Sequence, residues 1–512
     1  MIKLKMPKLS LCMIVKNEEK FLAGCLESVK NIVDEIIIVD TGSTDKTIEI
    51  ANSYNAKVYH FEWKNDFSLA RNESIKHATG DWILILDADE RLNPGQEMKI
   101  KKYLNLNFDG LYVRIISTDK NGELYVTEYP RLFRKIDGVK FERKIHEQIS
   151  SSILKLGGKL AKTDITITHL GYSQDDETMR KKYERNLRIL LEELEENPDD
   201  AHTCYHIGIT KTLIGEQEEG IKYLKKAISI PREKSNINDS LRAFIYNIFG
   251  NYEFKRGNSS QALNWFTESI KLAPVQVSSY YHGGLVHLKD SNFILAKNFF
   301  EKALKNLHSI LKGKPSDLTI EAFIEPGDIH FKLAICYFKL GNYHKLNENL
   351  AEILPNEKLY EAFLNFLVEE YKEGNKNVTQ VIKYISKLKP SFHVFKILSG
   401  IYQVEGELEN AVESLRNALK FKDDDEIRYN LGTCLAGLKR FDESIKVLVD
   451  FLNRRNSPFF ESALKVLVLS YIGEGNFYDA LSCYKLILER NPEDEAIKLR
   501  VHSIAQKLAN PH

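Results

Sequence analysis

Residues 9–90 contain four short apolar runs separated by amphipathic segments, and this alternation narrows the possible folds more than any other feature of the sequence. Each run is continuously apolar, which is typical of strands buried on both faces of a sheet. Strands that alternate with helices predict a mainly parallel sheet covered by helices on both sides. The four predicted strands are LSLCMIV, EIIIVD, KVYHFEW and WILILD.

Two of the predicted helices carry start signals. The helix after EIIIVD is predicted to be capped by Ser43 or Thr44, because hydroxyl side chains accept hydrogen bonds from the first free N–H groups of a helix. The helix that follows KVYHFEW has Asp66 near its start and Gly80 at its end. These signals predict where the two helices begin and where the second one ends.

Acidic residues follow two of the strands directly. Asp40 ends the second strand, and Asp87 and Asp89 follow the fourth. In open α/β sheets, ligands bind beyond the carboxyl ends of the strands. Two carboxylates there suit Mg²⁺ or Mn²⁺, which can neutralise a diphosphate leaving group. The alternative is a solvated turn, and an isolated D-x-D is more often that.

The second part of the chain has a different pattern. From residue 110 the runs GLYVRIIST, LYVTEYPRLFRK and DITITHLGY predict mostly antiparallel strands, and the first domain ends near residue 175. After residue 183 the pattern is helical and repeats with the period of about 34 residues that is typical of tetratricopeptide repeats. One copy is marked by Gly250, Gly257, Ala262, Phe266 and Pro274. Unrelated helical hairpins are the alternative.

The predicted organisation is an α/β domain over residues 1–182 and an all-α solenoid over residues 183–512. Residues 305–330 and 355–395 look irregular, so we expect an interrupted array. Stacked helical pairs form a concave surface that usually binds a peptide or protein. A homodimer through the repeats is also possible.

Composition excludes several classes of function. The chain has 72 Lys and Arg and 72 Asp and Glu, so it lacks the basic excess of a nucleic-acid-binding protein. The six cysteines are scattered without a CxxC pair, which is typical of free thiols in a reducing compartment. No stretch approaches the roughly 20 apolar residues of a transmembrane helix. The sequence therefore predicts a cytoplasmic protein.

Four segments occur in order: MIVKNEE, IVDTGSTDKT, WKNDFSLARN and DWILILDADE. Together they resemble the family 2 glycosyltransferases with a GT-A (Rossmann-like) fold. RLFRK, KFERKIHEQI and ITHLGY, followed by the repeats, resemble a narrower group of bacterial glycosyltransferases with tetratricopeptide tails, including the sublancin-type peptide S-glycosyltransferases. The resemblance implies an inverting transfer of a hexose from a UDP-sugar, with Mn²⁺ or Mg²⁺ as cofactor.

The same resemblance implies roles for individual residues. Three metal ligands are implied: Asp89, which matches the family's metal-binding aspartate, Asp87, the first acid of that motif, and His169, the last metal ligand. Asp87 is also expected to bind the nucleotide, and a structural histidine is an equal alternative for His169. Asp40 and Thr41 match positions that contact the nucleoside base, but many members have a second aspartate where this chain has Thr41. Further residues expected near the donor are Ile14, Lys16, Arg71 and Asn72, and a surface ion pair is the alternative for Arg71.

The inverting reaction also needs a base that takes the acceptor proton. Glu147 in KIHEQI is the predicted base, with His146 as the second choice. The alternative is that Glu147 only orients a loop. Glu90 is expected to orient the acceptor or a water molecule. The predicted acceptor is a Cys, Ser or Thr side chain of a peptide or protein. A cell-envelope saccharide, and a repeat scaffold with an inactive transferase domain, remain open alternatives.

Overall fold

The computed structural model contains one mixed β-sheet in the N-terminal part of the chain. Residues 6–118, 124–170, 176–311, 320–322, 324–454 and 456–509 are described. Their strands are β1 (Leu9–Val15), β2 (Glu35–Asp40), β3 (Lys57–His60), β4 (Trp82–Ile85), β5 (Glu90–Leu92), β6 (Gly110–Thr118), β7 (Leu124–Arg134), β8 (Leu160–His169) and β9 (Ile320–Ala322). The sheet order is β3-β2-β1-β4-β7-β6-β8-β5, and β9 pairs with β7.

Strand direction divides the sheet into two halves. β1 runs parallel to β2 and β4, and β2 runs parallel to β3. β4 meets β7 in the antiparallel direction, and β7 is antiparallel to β6. The predicted α/β architecture is confirmed, with a parallel half followed by a mixed half. The short strand β5 was not predicted, and it pairs with β8 beside the acidic edge.

Helices cover both faces of the sheet: α1 (Leu22–Val29), α2 (Thr47–Ser53), α3 (Phe67–His77), α4 (Glu97–Leu104) and α5 (Ser150–Lys155). Alternate residues of the strands supply the two cores. Ile36 and Ile38 pack in a cluster with residues of α1, α2 and α4, whereas Ile37 packs with residues of α3 and α5. Continuous apolar strands are therefore required, because both faces are buried.

The two predicted helix starts have different outcomes. Asp66 is the N-cap of α3, and its carboxylate accepts a hydrogen bond from the Leu69 N–H. The prediction for α2 was wrong, because the N-cap is Lys46 and makes no side-chain capping bond. Ser43 instead accepts a hydrogen bond from the Asn17 N–H, so its oxygen serves a neighbouring turn.

The remaining described chain is almost entirely helical, which confirms a long repeat region after the sheet. The helices are α6 (Asp176–Glu196), α7 (Ala201–Leu213), α8 (Gln217–Ser229), α9 (Asp239–Lys255), α10 (Ser259–Leu272), α11 (Val277–Lys289), α12 (Phe293–Leu311), α13 (Pro326–Lys339), α14 (Tyr343–Ile353), α15 (Glu357–Lys372), α16 (Asn377–Leu388), α17 (Phe392–Glu405), α18 (Leu408–Leu419), α19 (Asp425–Gly437), α20 (Phe441–Leu448), α21 (Phe460–Gly473), α22 (Phe477–Arg490) and α23 (Glu495–Ala509).

Small residues allow the paired helices to approach closely, as the repeat pattern predicts. A Cβ atom at Gly208 would lie 2.6 Å from Leu224, and one at Gly284 would lie 2.7 Å from Phe300. Both distances are far below van der Waals contact, so any larger side chain would force the helices of α7/α8 or α11/α12 apart. This supports the tetratricopeptide interpretation of these pairs.

The expected irregularities were half correct. The helical array is interrupted between α12 and α13, where β9 pairs with β7 and residues 312–319 and 323 lie outside the described part. The expectation for residues 355–395 was wrong, because α15 and α16 form a helical pair there. Its core positions are large residues such as Phe363 and Ile382 instead of the small residues of the repeat pattern.

The chain forms two compact units, residues 1–350 and 351–512. The division at residue 182 that the sequence suggests stays a prediction. All six cysteines are buried free thiols, as expected. Within the described residues, no helix combines the length and the apolar character needed to cross a membrane.

Candidate active site

The first two strand-to-helix turns are hydrogen-bonded to each other at the carboxyl edge of the sheet. Asn17, which has a positive φ of 57°, donates its N–H to Ser43 Oγ, and its Oδ1 accepts the Thr44 N–H. The Glu18 N–H donates to Thr47 Oγ1 over 2.7 Å. Asparagine tolerates the left-handed backbone conformation better than most residues do, so the residue type at position 17 suits this turn.

Asp40 and Thr41 hold this pair of turns together. The Asp40 carboxylate is 2% exposed and accepts the N–H groups of Gly42 and Ser43. The Thr41 hydroxyl donates to the Val15 carbonyl over 3.1 Å. Both predicted nucleoside-binding side chains thus have structural partners. Two other predicted donor residues border the same edge: Ile14, half-buried at the end of β1, and Lys16, exposed just after it.

The β4–β5 turn carries the acidic residues that the sequence singled out. The Glu90 carboxylate accepts the Asp87 N–H, and the Glu90 N–H donates to the Asp87 carbonyl, each over 2.9 Å. This reciprocal bonding fixes the direction in which Asp87 and Asp89 leave the strand. Glu90 is 1% exposed, so burial, its largest influence, raises its pKa despite the nearby Arg131.

Two arginines, one buried and one partly buried, converge on Asp87. Arg71 Nη2 donates to Oδ1 over 2.8 Å, and Arg131 Nη2 donates to Oδ2 over 3.0 Å. Arg131 also donates to Glu90 Oε1 over 2.7 Å. Although burial alone would raise the pKa of Asp87, the two guanidinium groups hold it well below its usual range. Both oxygens of Asp87 are therefore engaged by protein cations.

Asp89 has a different partner. β5 pairs with β8 so that Glu90 lies opposite His169, and Asp89 Oδ2 lies 3.3 Å from His169 Nε2. The carboxylate outweighs the effect of burial and raises the pKa of His169. Ser117 Oγ lies 3.2 Å from the Nδ1 atom of the same ring. One carboxylate and one imidazole thus stand together at the edge of the sheet.

The donor chemistry of this pair fits a divalent cation that a nucleotide also binds. Mg²⁺ at such sites takes one or two protein carboxylates and completes its shell with phosphate and water. Across the residues that the structure covers, no group of three or more His, Cys, Asp or Glu side chains is arranged to hold a metal. Asp89 and His169 offer one carboxylate and one imidazole to such an ion, whereas the oxygens of Asp87 accept hydrogen bonds from Arg71 and Arg131.

Glu147 lies in a loop between β7 and α5, which we call the 142–149 loop. Two backbone hydrogen bonds between Glu142 and Gln148, each 3.0 Å, close the loop at its base. Glu147 Oε1 accepts a hydrogen bond from Arg71 Nε, and the Glu147 side chain is 13% exposed. One guanidinium therefore joins the predicted base to Asp87, which the sequence did not reveal.

His146, the second predicted base, turns to the other side of the loop. Its ring stacks on His206 of α7 with centroids 3.7 Å apart. Removal of water from the stacked face lowers its pKa, although the nearby Glu147 carboxylate opposes this. His146 is thus neutral at pH 7, but its ring faces the repeat region.

Asn72 does not face the sheet edge in this structure. Its Nδ2 donates to the Phe141 carbonyl over 3.0 Å, and its Oδ1 accepts the Phe141 N–H over 2.8 Å. The amide group therefore ties α3 to the start of the 142–149 loop. Arg71, in contrast, is 5% exposed and inside the site, so a surface ion pair does not describe it.

One titratable residue of the site was missed at the sequence level. Burial and the negative charges of Asp89 and Asp87 raise the pKa of Glu18 to about 7. The segment MIVKNEE contained it, but nothing in the local pattern shows that the β1–α1 turn meets the β4–β5 turn. That neighbourhood follows from the parallel pairing of β1 with β4.

Comparison with known families agrees with this geometry. The model for Glycosyl transferase family 2 matches residues 10–155, and that for Tetratricopeptide repeat matches residues 201–234. The matched range includes the acidic β4–β5 turn, Arg71, Arg131 and Glu147. The N-terminal region is therefore a family 2 glycosyltransferase domain, and tetratricopeptide repeats follow it.

Two relatives match part of the chain. A TPR repeat-containing protein of Synechococcus elongatus is 35% identical over 46% of this chain and 60% of its own length. The SPbeta prophage-derived glycosyltransferase SunS of Bacillus subtilis is 32% identical over 44% of this chain and 54% of its own length. The chain thus spans little more than half of each relative.

Solved structures are more distant. S. aureus TarS 1-349 in complex with UDP-GlcNAc is 17% identical, with a TM-score of 0.32 over 52% of this chain and 91% of that chain.

Proposed function

We propose that this glycosyltransferase domain with its repeats moves a sugar from a nucleotide donor, a UDP-sugar, to a Cys, Ser or Thr side chain of a peptide or protein. The single observation that carries the proposal is the acidic edge of the sheet. There Asp89 and His169 pair 3.3 Å apart, beside an Asp87 that forms ion pairs with Arg71 and Arg131.

On the donor side, Asp89 and His169 would hold Mn²⁺ or Mg²⁺. When bound, the ion supplies positive charge for the diphosphate leaving group. Asp87 does not compete for it, because Arg71 and Arg131 occupy its oxygens. The two arginines keep the β4–β5 turn in one conformation, which orients Asp89 before substrate binds.

On the acceptor side, Glu147 is the proposed base. Arg71 donates to Oε1, which fixes the carboxylate and leaves Oε2 as the proposed proton acceptor. His146 is the alternative base, and its contact with His206 argues against it.

The repeat region is proposed to present the acceptor. Helices α7 to α12 pair in the manner of tetratricopeptide repeats, which commonly bind peptides on their concave surface. We retain residues 1–182 as the proposed catalytic domain and residues 183–512 as the proposed acceptor domain. A homodimer through the repeats and a cytoplasmic location belong to the same proposal.

A donor and acceptor screen tests the function directly. We expect release of UDP from one of a panel of UDP-sugars with Mn²⁺, its loss with chelator or in Asp89→Asn, and sugar transfer to a peptide that contains Cys, Ser or Thr. The matched control is Asp137→Asn, an exposed aspartate outside the site.

The other outcomes separate the alternatives. Transfer only to saccharide acceptors would replace the peptide proposal with a cell-envelope glycosyltransferase. Binding of UDP-sugars without any release of UDP would indicate a repeat scaffold with an inactive transferase domain.

A further inference from the structure

The 142–149 loop is held from two opposite sides. On the side of the sheet, the Phe67 N–H donates to the Lys144 carbonyl over 2.8 Å, and Ser68 Oγ donates to the Arg143 carbonyl. On this side Arg71 also binds Glu147. All three contacts come from α3, which is part of the glycosyltransferase domain.

The opposite side of the loop packs on the first helices of the repeat region. Arg143 Nη2 lies 2.9 Å from Asp200 Oδ2, and its Nη1 donates to Thr203 Oγ1 over 3.2 Å. Ile145 is 5% exposed and belongs to a core cluster with Ile189 of α6 and other residues of α6 to α9. The loop thus completes the core of the repeats.

The two neighbours of Glu147 in the chain both contact α7. His146 stacks on His206, and Gln148 Nε2 lies 2.9 Å from His202 Nε2. His202 and His206 are one helical turn apart, so they lie on the same face of α7, and their Nε2 atoms are 3.3 Å apart. This face of α7 therefore contacts the residue immediately before Glu147 and the residue immediately after it.

The backbone of the loop requires such support. Arg143 and His146 have positive φ angles of 85° and 52°, which few residues other than glycine adopt. Strained backbone of this kind persists only where surrounding contacts determine it. Asp200 meets one of the two strained residues, and His206 meets the other.

We propose that His202 and His206 are positioning residues, which hold Glu147 toward Arg71 through their contacts with Gln148 and His146. This inference rests on the proposed function, because it assumes that Glu147 acts in the reaction. It makes the first repeat a part of the catalytic apparatus in addition to its role toward the acceptor. The repeat region would then act on the rate of the chemical step as well as on acceptor binding.

A double-mutant cycle tests the link to Glu147. We expect His206→Ala to lower kcat by about tenfold with an unchanged donor KM, and to have no further effect in a Glu147→Gln background, because the two residues then act as one unit. His206→Phe should restore kcat to within about twofold, because it keeps the stacked ring. His344→Ala, at an exposed helical histidine whose side chain is 84% exposed, is the control.

Each opposite result would overturn the proposal. Equal losses from His206→Ala in both backgrounds would mean that it acts independently of Glu147, and failure of His206→Phe to restore kcat would reject stacking as the means. If His206→Ala does not fold, Gln148→Leu removes the contact with His202 from the loop side, and it should give the same non-additivity with Glu147→Gln.

Hydrogen exchange separates this proposal from the proposed function. We expect amides of residues 142–149 to exchange faster in His206→Ala than in the wild type or His344→Ala, at full protein length and without substrate. Faster exchange in a protein that transfers no sugar would sink the proposed function and leave the positioning contact standing. Unchanged exchange would overturn the positioning role, whatever the activity.

Discussion

Two clusters of titratable side chains stand on opposite sides of the 142–149 loop, and they are stabilised in opposite ways. The carboxylate–arginine cluster consists of Asp87, Glu90, Glu147, Arg71 and Arg131, and its members are joined by ion pairs. It occupies the carboxyl edge of the sheet, beside Asp89.

The histidine cluster consists of His146, His202 and His206, and its members contact one another through ring stacking and edge contacts. Burial lowers the pKa of His202 to about 3 and that of His206 well below its usual value. These rings are therefore uncharged at neutral pH.

This difference determines which kind of change destabilises each cluster. Opposite charges at short range compensate the desolvation of the carboxylates, so removal of one arginine leaves charge without a partner. The histidines avoid that cost by remaining neutral, so acid, which would charge them, is expected to destabilise their cluster. Because the loop lies between them, disturbance of either cluster should reach Glu147.

The largest effect is expected outside both clusters, at Asp89. Asp89→Asn removes a charged ligand worth several kcal/mol, so transfer should fall by about 10⁴-fold while both clusters remain intact. Initial rates at saturating donor, with Asp137→Asn as the control, provide the measurement. Near wild-type transfer, or full activity in excess chelator, would contradict the metal assignment.

The next largest effect is expected at Glu147, which belongs both to the carboxylate–arginine cluster and to the 142–149 loop. Glu147→Gln keeps the shape of the side chain but removes its basicity, so the chemical step should slow by about 10²–10⁴-fold with donor binding unchanged. Single-turnover rates across pH measure it.

A thiol acceptor should reduce the loss in Glu147→Gln as the pH approaches the pKa of the thiol, whereas a hydroxyl acceptor should give no such rescue. A wild-type rate at every pH would exclude Glu147 as the base, and His146→Gln would be the next variant.

Removal of Arg71 from the carboxylate–arginine cluster should lower the free energy of unfolding of the protein. Arg71→Met leaves two carboxylates without their shared partner, and we expect a loss of about 3–5 kcal/mol in the free energy of unfolding. Urea denaturation measures this. Arg180→Met, which breaks an exposed ion pair with Glu184, should cost at most about 0.5 kcal/mol.

If Arg71 mainly compensates charge, Arg71→Met combined with Glu147→Gln should be more stable than Arg71→Met alone. No recovery of stability in the double variant would show that packing on Phe141 contributes more to stability than charge compensation does. The guanidinium carbon of Arg71 lies 5.7 Å from the centroid of the Phe141 ring.

The smallest effect is the response of the histidine cluster to acid. Burial, and after it the charges of Arg143 and His146, disfavour protonation of His202, whereas Asp200 favours it. His202 therefore stays neutral in the folded protein, while the unfolded chain takes up a proton below about pH 6.5. Its contribution to stability is complete above that pH and is lost as the pH falls toward 3.

The slope is about 1.36 kcal/mol per pH unit, so His202 should account for about 2 kcal/mol between pH 6.5 and pH 5. Denaturation at several pH values should give a flatter dependence for His202→Gln than for the wild type. His344→Gln should keep the wild-type slope, and identical slopes in all three proteins would refute the assignment.

Local pattern alone located much of the fold. The runs predicted as β1, β2 and β6 coincide with the observed strands, because the apolar residues of β1 and β2 are buried on both faces of the sheet and alternate residues of β6 are buried on one face. Asp66 was identified as the start of α3 for a local reason, its bond to Leu69. The same reasoning failed for Ser43, because its hydroxyl oxygen accepts a hydrogen bond from the Asn17 N–H, in a turn that is distant in sequence.

Long-range contacts decided how the parts are joined. A fragment of residues 1–182 would lack Ile189, Asp200 and His206, which support the loop that carries Glu147. A cut at that point would therefore test loop support as well as acceptor binding. No local signal in KIHEQI indicates this dependence.

The sequence by itself determined the class of fold, the acidic edge and the repeat architecture, because each depends on residues close together in the chain. Only the tertiary structure decided that Asp87 pairs with Arg71 and Arg131, whereas Asp89 faces His169. It also decided that Glu147 is bound by Arg71 of α3 while its two neighbours in the chain contact α7. The physical reason is that an ion pair or a ring stack depends on distance and orientation in space, which strand pairing and helix packing set and which spacing along the chain does not record.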